Sequence, residues 1–426
     1  MFNINDIFRE VDNLSAEKVM KIMKEVIGVK TVVPPGNNYR EIVDVIKPYF
    51  KALNYELEEV IVPENLIKQI PYPLEGPRIN LIATKTFENV KDWVSFYAHL
   101  DVVPAPNEGK KKWRFDPFEA TMIKSGKIYG RGTADMKGAI VCLILALEII
   151  EKLKLTPKFN IRVLLCTDEE IGVWPGVRYL EEKGYVKGIV FCMEGVVSPI
   201  IPVGAAGNTN ITVETHGRSC HSGMNFLGVN ALEEMVPILV ELMKLKKIVE
   251  ARESKSIPGF PRFGTGEKRN MTPMFNLDII RAGEKPNIVP DLCTLIINRR
   301  YIPDEKYEDV IEEIKKAVEE GKKKSKALDV KVKCVRDYPA LEIDPNSPAS
   351  QRIKKVIQLV QKIPAEKILY IGTSGSTDMG FLNKYDMVFR GPGNPGSNSH
   401  GVNEYIKLND IKTYIKELIV FLCADL

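Results

Sequence analysis

Four runs in the first half of the chain are apolar on both faces and of strand length: RINLIATK (78–85), WVSFYA (93–98), NIRVLLCT (160–167) and GIVFCM (188–193). Residues 14–29 and 38–54 instead repeat their apolar positions every three to four residues, the period of amphipathic helices. Between the second and third strands lies DMKGAIVCLILALEIIEKLK (135–154), helical in period yet apolar enough to be largely buried. Strands with no polar face must be covered on both sides. Alternating with helices, they predict an α/β layered domain.

The pattern changes after PVGAAG (202–207). NTNITVETHG alternates like a strand with one wet face, and GVNALEEMVPILVELMKLKK reads as an amphipathic helix. PMFNLDIIRAG and LCTLIINRRY are two further strands, DEKYEDVIEEIKKAVEEGKKK a polar helix, and LDVKVKCV a last strand. The order β-α-β-β-α-β predicts a split, ferredoxin-like α+β unit, a small sheet carrying two helices on one face. We place it at 205–338, inserted between a first segment, 1–204, and a second, 339–426. The second segment holds helices SPASQRIKKVIQLVQK and LNDIKTYIKELIVFLCADL. A length of 426 residues also favours two domains over one core.

Composition narrows the function classes. A net charge of +4 on this length gives no warrant for nucleic-acid binding. The longest apolar stretch, GAIVCLILALEII, is interrupted by Glu148 and too short to span a bilayer, and the N-terminus lacks a basic-then-apolar leader. Seven scattered cysteines with no CxxC pair fit a reducing compartment rather than a disulfide framework or a Cys-ligated zinc site. The expectation is a cytoplasmic protein with no membrane or nucleic-acid partner.

Histidine is scarce, four in the whole chain, and one of them ends a strand. WVSFYA runs into His99-Leu100-Asp101, NIRVLLCT into Asp168-Glu169-Glu170, and GIVFCM into Glu194. GRGTADMKG puts Asp135 at the start of the buried helix, and SNSHGVNEYI supplies His400. Open α/β sheets bind ligands at the carboxyl ends of their strands, so these groups should converge. Carboxylates crowded together raise one another's pKa, a cost that divalent cations remove. Two zinc ions would be balanced by Asp135, Glu170, Glu194 and one hydroxide, each ion taking a His, a terminal carboxylate and a share of Asp135. Cobalt would substitute. Glu169 is left over beside a ligand, as a general base requires. Asp101 is left over to accept the other ring N–H of His99. Neither GRGTADMKG nor GTSGSTDMG has the order GxxxxGK[ST], so a phosphate loop does not account for them.

In their order, HLDVVP, GRGTADMKG, TDEEIG, MEG and SHGVNEYI resemble the zinc aminoacylase and carboxypeptidase G type metallopeptidase family, which includes acetylornithine deacetylase and succinyl-diaminopimelate desuccinylase. The resemblance covers nearly the whole chain. It implies a mixed-sheet α/β/α zinc-peptidase catalytic domain with an inserted lid and dimerisation domain. It also implies that His99 and Glu194 bind one zinc, Glu170 and His400 the other, with Asp135 bridging. HGRSCHSGMNFLGVNA matches the family signature around His221, where the family has a His that polarises the scissile carbonyl in the partner subunit's site. Met224-Asn225 stands where the family often has Pro. Arg300 sits at the family's substrate-carboxylate Arg, although Asn298 replaces the usual acid before it. Asn287 matches a position near the substrate carbonyl, and the loop around Gly375 resembles one holding the substrate carboxylate through backbone N–H groups.

The expected function is a homodimeric, co-catalytic zinc hydrolase cleaving an amide bond of a small N-acyl amino acid or diamino acid with a free carboxylate. A dipeptidase or carboxypeptidase-type exopeptidase would use the same residues. A catalytically silent metal-binding scaffold would have no use for the base Glu169.

Overall fold

The computed structural model describes residues 3–106, 112–172, 176–261 and 266–426. They form two units: Met1–Pro202, Ile343–Tyr370 and Phe381–Leu426 in one, Val203–Glu342 and Ile371–Gly380 in the other. The second is thus inserted in the first, entering two residues before the expected break and leaving four after it. Residues 371–380, expected in the last catalytic segment, group with the insert instead.

The larger unit is built on a six-stranded mixed sheet. Its order is Glu56–Ile61, Ile79–Lys85, Asn160–Cys166, Trp93–His99, Ile189–Cys192, Met387–Phe389. The first three strands are antiparallel neighbours, and the last four run parallel. The four strands expected from apolar runs are its middle. Glu56–Ile61 was missed because it is an edge strand that buries only Val60.

Helix Lys137–Lys152 is buried at every position from Lys137 to Ile150 except Glu148, which reaches Lys18 at 2.6 Å. Its N-cap residue, Met136, makes no side-chain capping bond. Packing holds it, at about 1.5–3 kcal/mol for each fully buried Leu or Ile. Helices Ala16–Gly28 and Pro348–Gln361 begin instead on serine caps, Ser15 and Ser347, each accepting a backbone N–H at 3.2 Å. The C-terminal helix Leu408–Cys423 buries Glu417, which takes the guanidinium of Arg390 through two bonds of 2.7 Å. Arg390 also donates to the carbonyls of Val196 (2.9 Å) and Val197 (2.6 Å). This buried pair is satisfied on both sides, as it must be to persist in a core. It anchors the chain just beyond Glu194.

The inserted unit follows the expected order, with strands Gly207–His216, Met274–Ala282, Leu292–Tyr301 and Asp329–Tyr338 and helices Ala231–Val249 and Tyr307–Lys322. Its sheet order is Met274–Ala282, Leu292–Tyr301, Gly207–His216, Asp329–Tyr338, all antiparallel. Ile211, Val213, Leu295 and Ile297 from the sheet pack with Ile238, Leu242 and Ile314 from the helices. The alternating burial of Gly207–His216 is the period-two pattern of a sheet covered on one side.

Candidate active site

Strands Asn160–Cys166, Trp93–His99 and Ile189–Cys192 are parallel neighbours, so their carboxyl ends bring Glu169 and Glu170, His99 and Glu194 to one edge. His99 closes its strand opposite Cys166, with its imidazole fully buried. Beyond the next strand Asp168 is left-handed, at φ 62°. Tyr39 holds it with a hydroxyl donated at 2.9 Å, and the Arg78 guanidinium lies at 3.3 Å. Burial pushes the Asp168 carboxyl up to about 6 despite Arg78. The reversed backbone leads into the short turn Glu169–Ile171, where Glu169 is buried.

Asp135 lies between two imidazoles. Its Oδ1 is 3.3 Å from His99 Nε2 and its Oδ2 is 3.2 Å from His400 Nε2. His400, left-handed at φ 63°, also places Nε2 at 2.9 Å from Glu170 Oε2. Ligand-type atoms of His99, Asp135 and Glu170 fall within 4.8 Å of one another, as do those of His99, Glu169 and Glu194. A cavity of about 210 Å³ adjoins the cluster, with Asp135, Glu194, Asn394, Ser397 and Ser399 in its wall.

The electrostatics favour added positive charge. Burial alone would depress the His99 imidazole, yet the bond to Asp135 and the charges of Asp101, Glu169 and Glu170 raise it well above its usual value. Hydrogen bonds to Asp135 and Glu170 lift His400 to about 10. Burial competes with the two imidazoles at Asp135, and the imidazoles win, holding its carboxyl low. Burial, reinforced by Asp135, raises Glu170. Oε1 of Glu170 and Oδ1 of Asp101 are buried without a hydrogen-bond partner among the described residues. A buried acceptor left in that condition is costly, and a cation satisfies it. The donor set of imidazoles and carboxylates therefore fits divalent metal.

One detail departs from expectation. His99 Nδ1 meets the main-chain carbonyl of Asp101 at 3.1 Å, while the Asp101 carboxylate is 3.7 Å away. That carboxylate accepts the Glu170 backbone N–H at 2.9 Å. Asp101 therefore orients the ring through its backbone and, through its side chain, seats the turn carrying Glu169 and Glu170. The sequence also offered no sign that Asp168 serves as the anchor of that turn rather than as part of the cluster.

The remaining predicted residues lie in the inserted unit. His221 is exposed, and its Nδ1 accepts the Gly223 N–H at 3.1 Å. Asn287 is joined to the same loop, its carbonyl accepting the Ser222 N–H at 3.0 Å. Arg300 Nη1 donates to Ser374 O and Ser376 Oγ, both at 3.0 Å. The Gly375 N–H, expected to face a carboxylate, is directed to Thr373 Oγ1 at 3.0 Å. The short side-chain acceptor two residues earlier takes that donor into a local turn.

What such a cluster can do is metal-assisted hydrolysis, and the class of protein is a metallohydrolase acting on amide bonds. The comparison behind that statement is with Peptidase family M20/M25/M40, whose model matches residues 95–422, and the chain belongs to this family. The chain is 24% identical over 441 residues to an N-formyl-4-amino-5-aminomethyl-2-methylpyrimidine deformylase of Halalkalibacterium halodurans, covering 98% of this chain and 96% of the relative. It is 25% identical over 428 residues to a probable succinyl-diaminopimelate desuccinylase of Staphylococcus aureus, covering 96% of each. Among solved structures, the Saccharomyces cerevisiae di-peptidase Dug1p shares the fold with a TM-score of 0.76 at 16% identity, covering 98% of both chains. Among the described residues no helix is long and apolar enough to cross a membrane.

Proposed function

We propose that the chain is a co-catalytic dinuclear zinc hydrolase, with cobalt able to replace zinc, that removes the acyl group from a small N-acyl amino acid or diamino acid. The observation that carries this reading is Asp135, with one oxygen toward His99 and the other toward His400. On this reading His99 and Glu194 hold one ion, Glu170 and His400 the other, and Asp135 both. Bound there, the ions supply Lewis acidity to the amide carbonyl and lower the pKa of water.

The chain's own groups do the rest. Glu169 accepts a proton from the attacking water and returns it to the departing amine nitrogen. The Asp101 main-chain carbonyl accepts a hydrogen bond from His99 Nδ1–H, which leaves Nε2, on the side of Asp135, as the atom to ligate metal. His221 accepts at Nδ1 and so carries its proton on Nε2, where it suits donation to a carbonyl oxygen as charge develops. Arg300, held in place beside Ser374 and Ser376, is the group for the substrate carboxylate. Asn287, on the same surface as His221, is the group for the substrate carbonyl.

His221 serves the site of a second copy on this reading. Helix Ala231–Val249 exposes Leu232, Val236, Val240 and Met243 along one stripe, and the edge strand Met274–Ala282 exposes Ile279 and Ile280. Such a face suits the self-complementary contact of a twofold dimer. The seven cysteines are all unpaired, in keeping with a cytoplasmic setting.

The formyl and succinyl groups in the names of the two relatives favour acyl removal over dipeptide cleavage. Zinc-loaded protein assayed on N-acetyl and N-succinyl amino acids, their diamino acid counterparts and dipeptides tests this. The expected result is a higher kcat/KM on an acylated substrate. Preference for dipeptides would move the assignment to an exopeptidase.

A further inference from the structure

Arg131 and Glu404 are almost wholly buried, 2% and 0% exposed, and lie outside the metal cluster. Oε2 of Glu404 accepts from Arg131 Nη1. Its Oε1 accepts three backbone N–H groups, those of Gly132 (3.0 Å), Ala134 (2.9 Å) and Asp135 (3.1 Å). One carboxylate oxygen thus gathers the loop that carries Asp135. Three converging peptide N–H groups make a cradle for negative charge, and they offset part of the cost of burying it. Arg131 turns its other terminal nitrogen, Nη2, to the carbonyls of His400 (3.2 Å) and Gly401 (3.1 Å). The second ligand loop is therefore gathered by the same pair. Glu404 is itself fixed by its main chain, whose carbonyl accepts the Gly130 N–H at 3.0 Å beside the paired strands Tyr405–Lys407 and Lys127–Tyr129.

Neither Asp135 nor His400 lies within a helix or strand. His400 sits in a loop where Asn398, His400 and Asn403 are all left-handed. Asp135 precedes its helix, whose N-cap residue, Met136, makes no side-chain capping bond.

We propose that the Arg131–Glu404 pair is a positioning device for the reaction, setting the separation of Asp135 from His400 by holding the backbone of both. The inference rests on the reading above that these two side chains hold metal. Glu404 is not among the candidate ligand groups of the cluster, so the effect of the pair is read in how tightly and in what geometry metal is held.

The test uses the full chain as wild type, Glu404→Gln, Arg131→Lys and His400→Ala. Glutamine keeps an acceptor for the three N–H groups and removes the charge that Arg131 needs. Lysine keeps the charge and removes the fork that reaches the His400 loop. Three quantities are measured: the Zn2+ dissociation constant by chelator competition, the visible absorption of the Co2+-loaded protein, and the denaturant midpoint of the metal-free protein. Both clamp variants should bind Zn2+ about 10–100-fold more weakly, the range for partners that orient ligands. Their Co2+ bands should shift in position or intensity. A purely structural role would lower the midpoint and leave affinity and spectrum unchanged, and that result overturns the proposal. Should Glu404→Gln fail to fold, Arg131→Lys decides by the same criteria. If His400→Ala keeps the full Zn2+ complement and the wild-type spectrum, the metal assignment itself is what fails.

Discussion

Glu169→Gln separates the two roles the geometry allows this residue. Its carboxylate lies within 4.8 Å of ligand-type atoms of both His99 and Glu194, a range open to a ligand as well as to a base. Glutamine keeps the volume of a side chain that is 8% exposed. The turn survives, because the Glu169 carbonyl, not its side chain, accepts the Gly172 N–H at 3.0 Å. What disappears is proton acceptance. A positioned base contributes roughly 10²–10⁴ in rate, or about 2.7–5.4 kcal/mol at 1.36 kcal/mol per decade. The expected outcome is a kcat lower by about 10²-fold or more, little change in KM, and an undiminished zinc content at saturating metal. Steady-state kinetics on the best N-acyl substrate, with elemental analysis of the same preparation, measure both. A kcat within about tenfold of wild type would refute the base. A loss of zinc together with activity would make Glu169 a ligand.

Two further outcomes follow from the inserted unit. Asp337 accepts the amides of Asn208 (2.9 Å) and Asn210 (2.6 Å), and burial pushes its carboxyl from 3.8 up to about 7, Arg300 opposing. Between those values the folded protein keeps a proton that the unfolded chain has released, so the group's stabilisation is full below about pH 4 and is lost as pH rises through about 7. Asp337→Asn should therefore gain stability relative to wild type from pH 4 to 7 and hold that difference above 7. Urea midpoints across that range check it, and a difference independent of pH would contradict it. His221→Ala should be almost inactive yet fully metallated, since losing a donor to the developing oxyanion costs about 2.7–4 kcal/mol. Mixed with Asp135→Ala under conditions where subunits exchange, it should recover part of the activity. No recovery, or an active monomer in sedimentation, would end the shared-site reading.

Much of the fold was legible because its strands are apolar on both faces and end on polar residues. WVSFYA running into His99 and GIVFCM running into Glu194 mark both the sheet and the edge where the candidate site lies. The inserted unit was legible for the opposite reason, since its one-sided sheet alternates along Gly207–His216. Contacts made by backbone left no such trace. The N–H of Glu170 on the Asp101 carboxylate, and that of Gly375 on Thr373, depend on local turn geometry and not on residue pattern. Edge strand Glu56–Ile61 buries too little to show a period. Arg131 and Glu404 stood in the motifs GRGTADMKG and SHGVNEYI, but nothing in sequence couples groups 273 positions apart.

The central claim is that Asp135 joins two metal ions held by His99 and Glu194 on one side and by Glu170 and His400 on the other. Zinc content per chain tests it most directly, measured by elemental analysis after equilibration with excess Zn2+ and removal of the unbound metal. The account predicts about two ions in the wild type and a marked loss in Asp135→Ala. One ion or fewer at saturation, with His99 and His400 both intact, would contradict it.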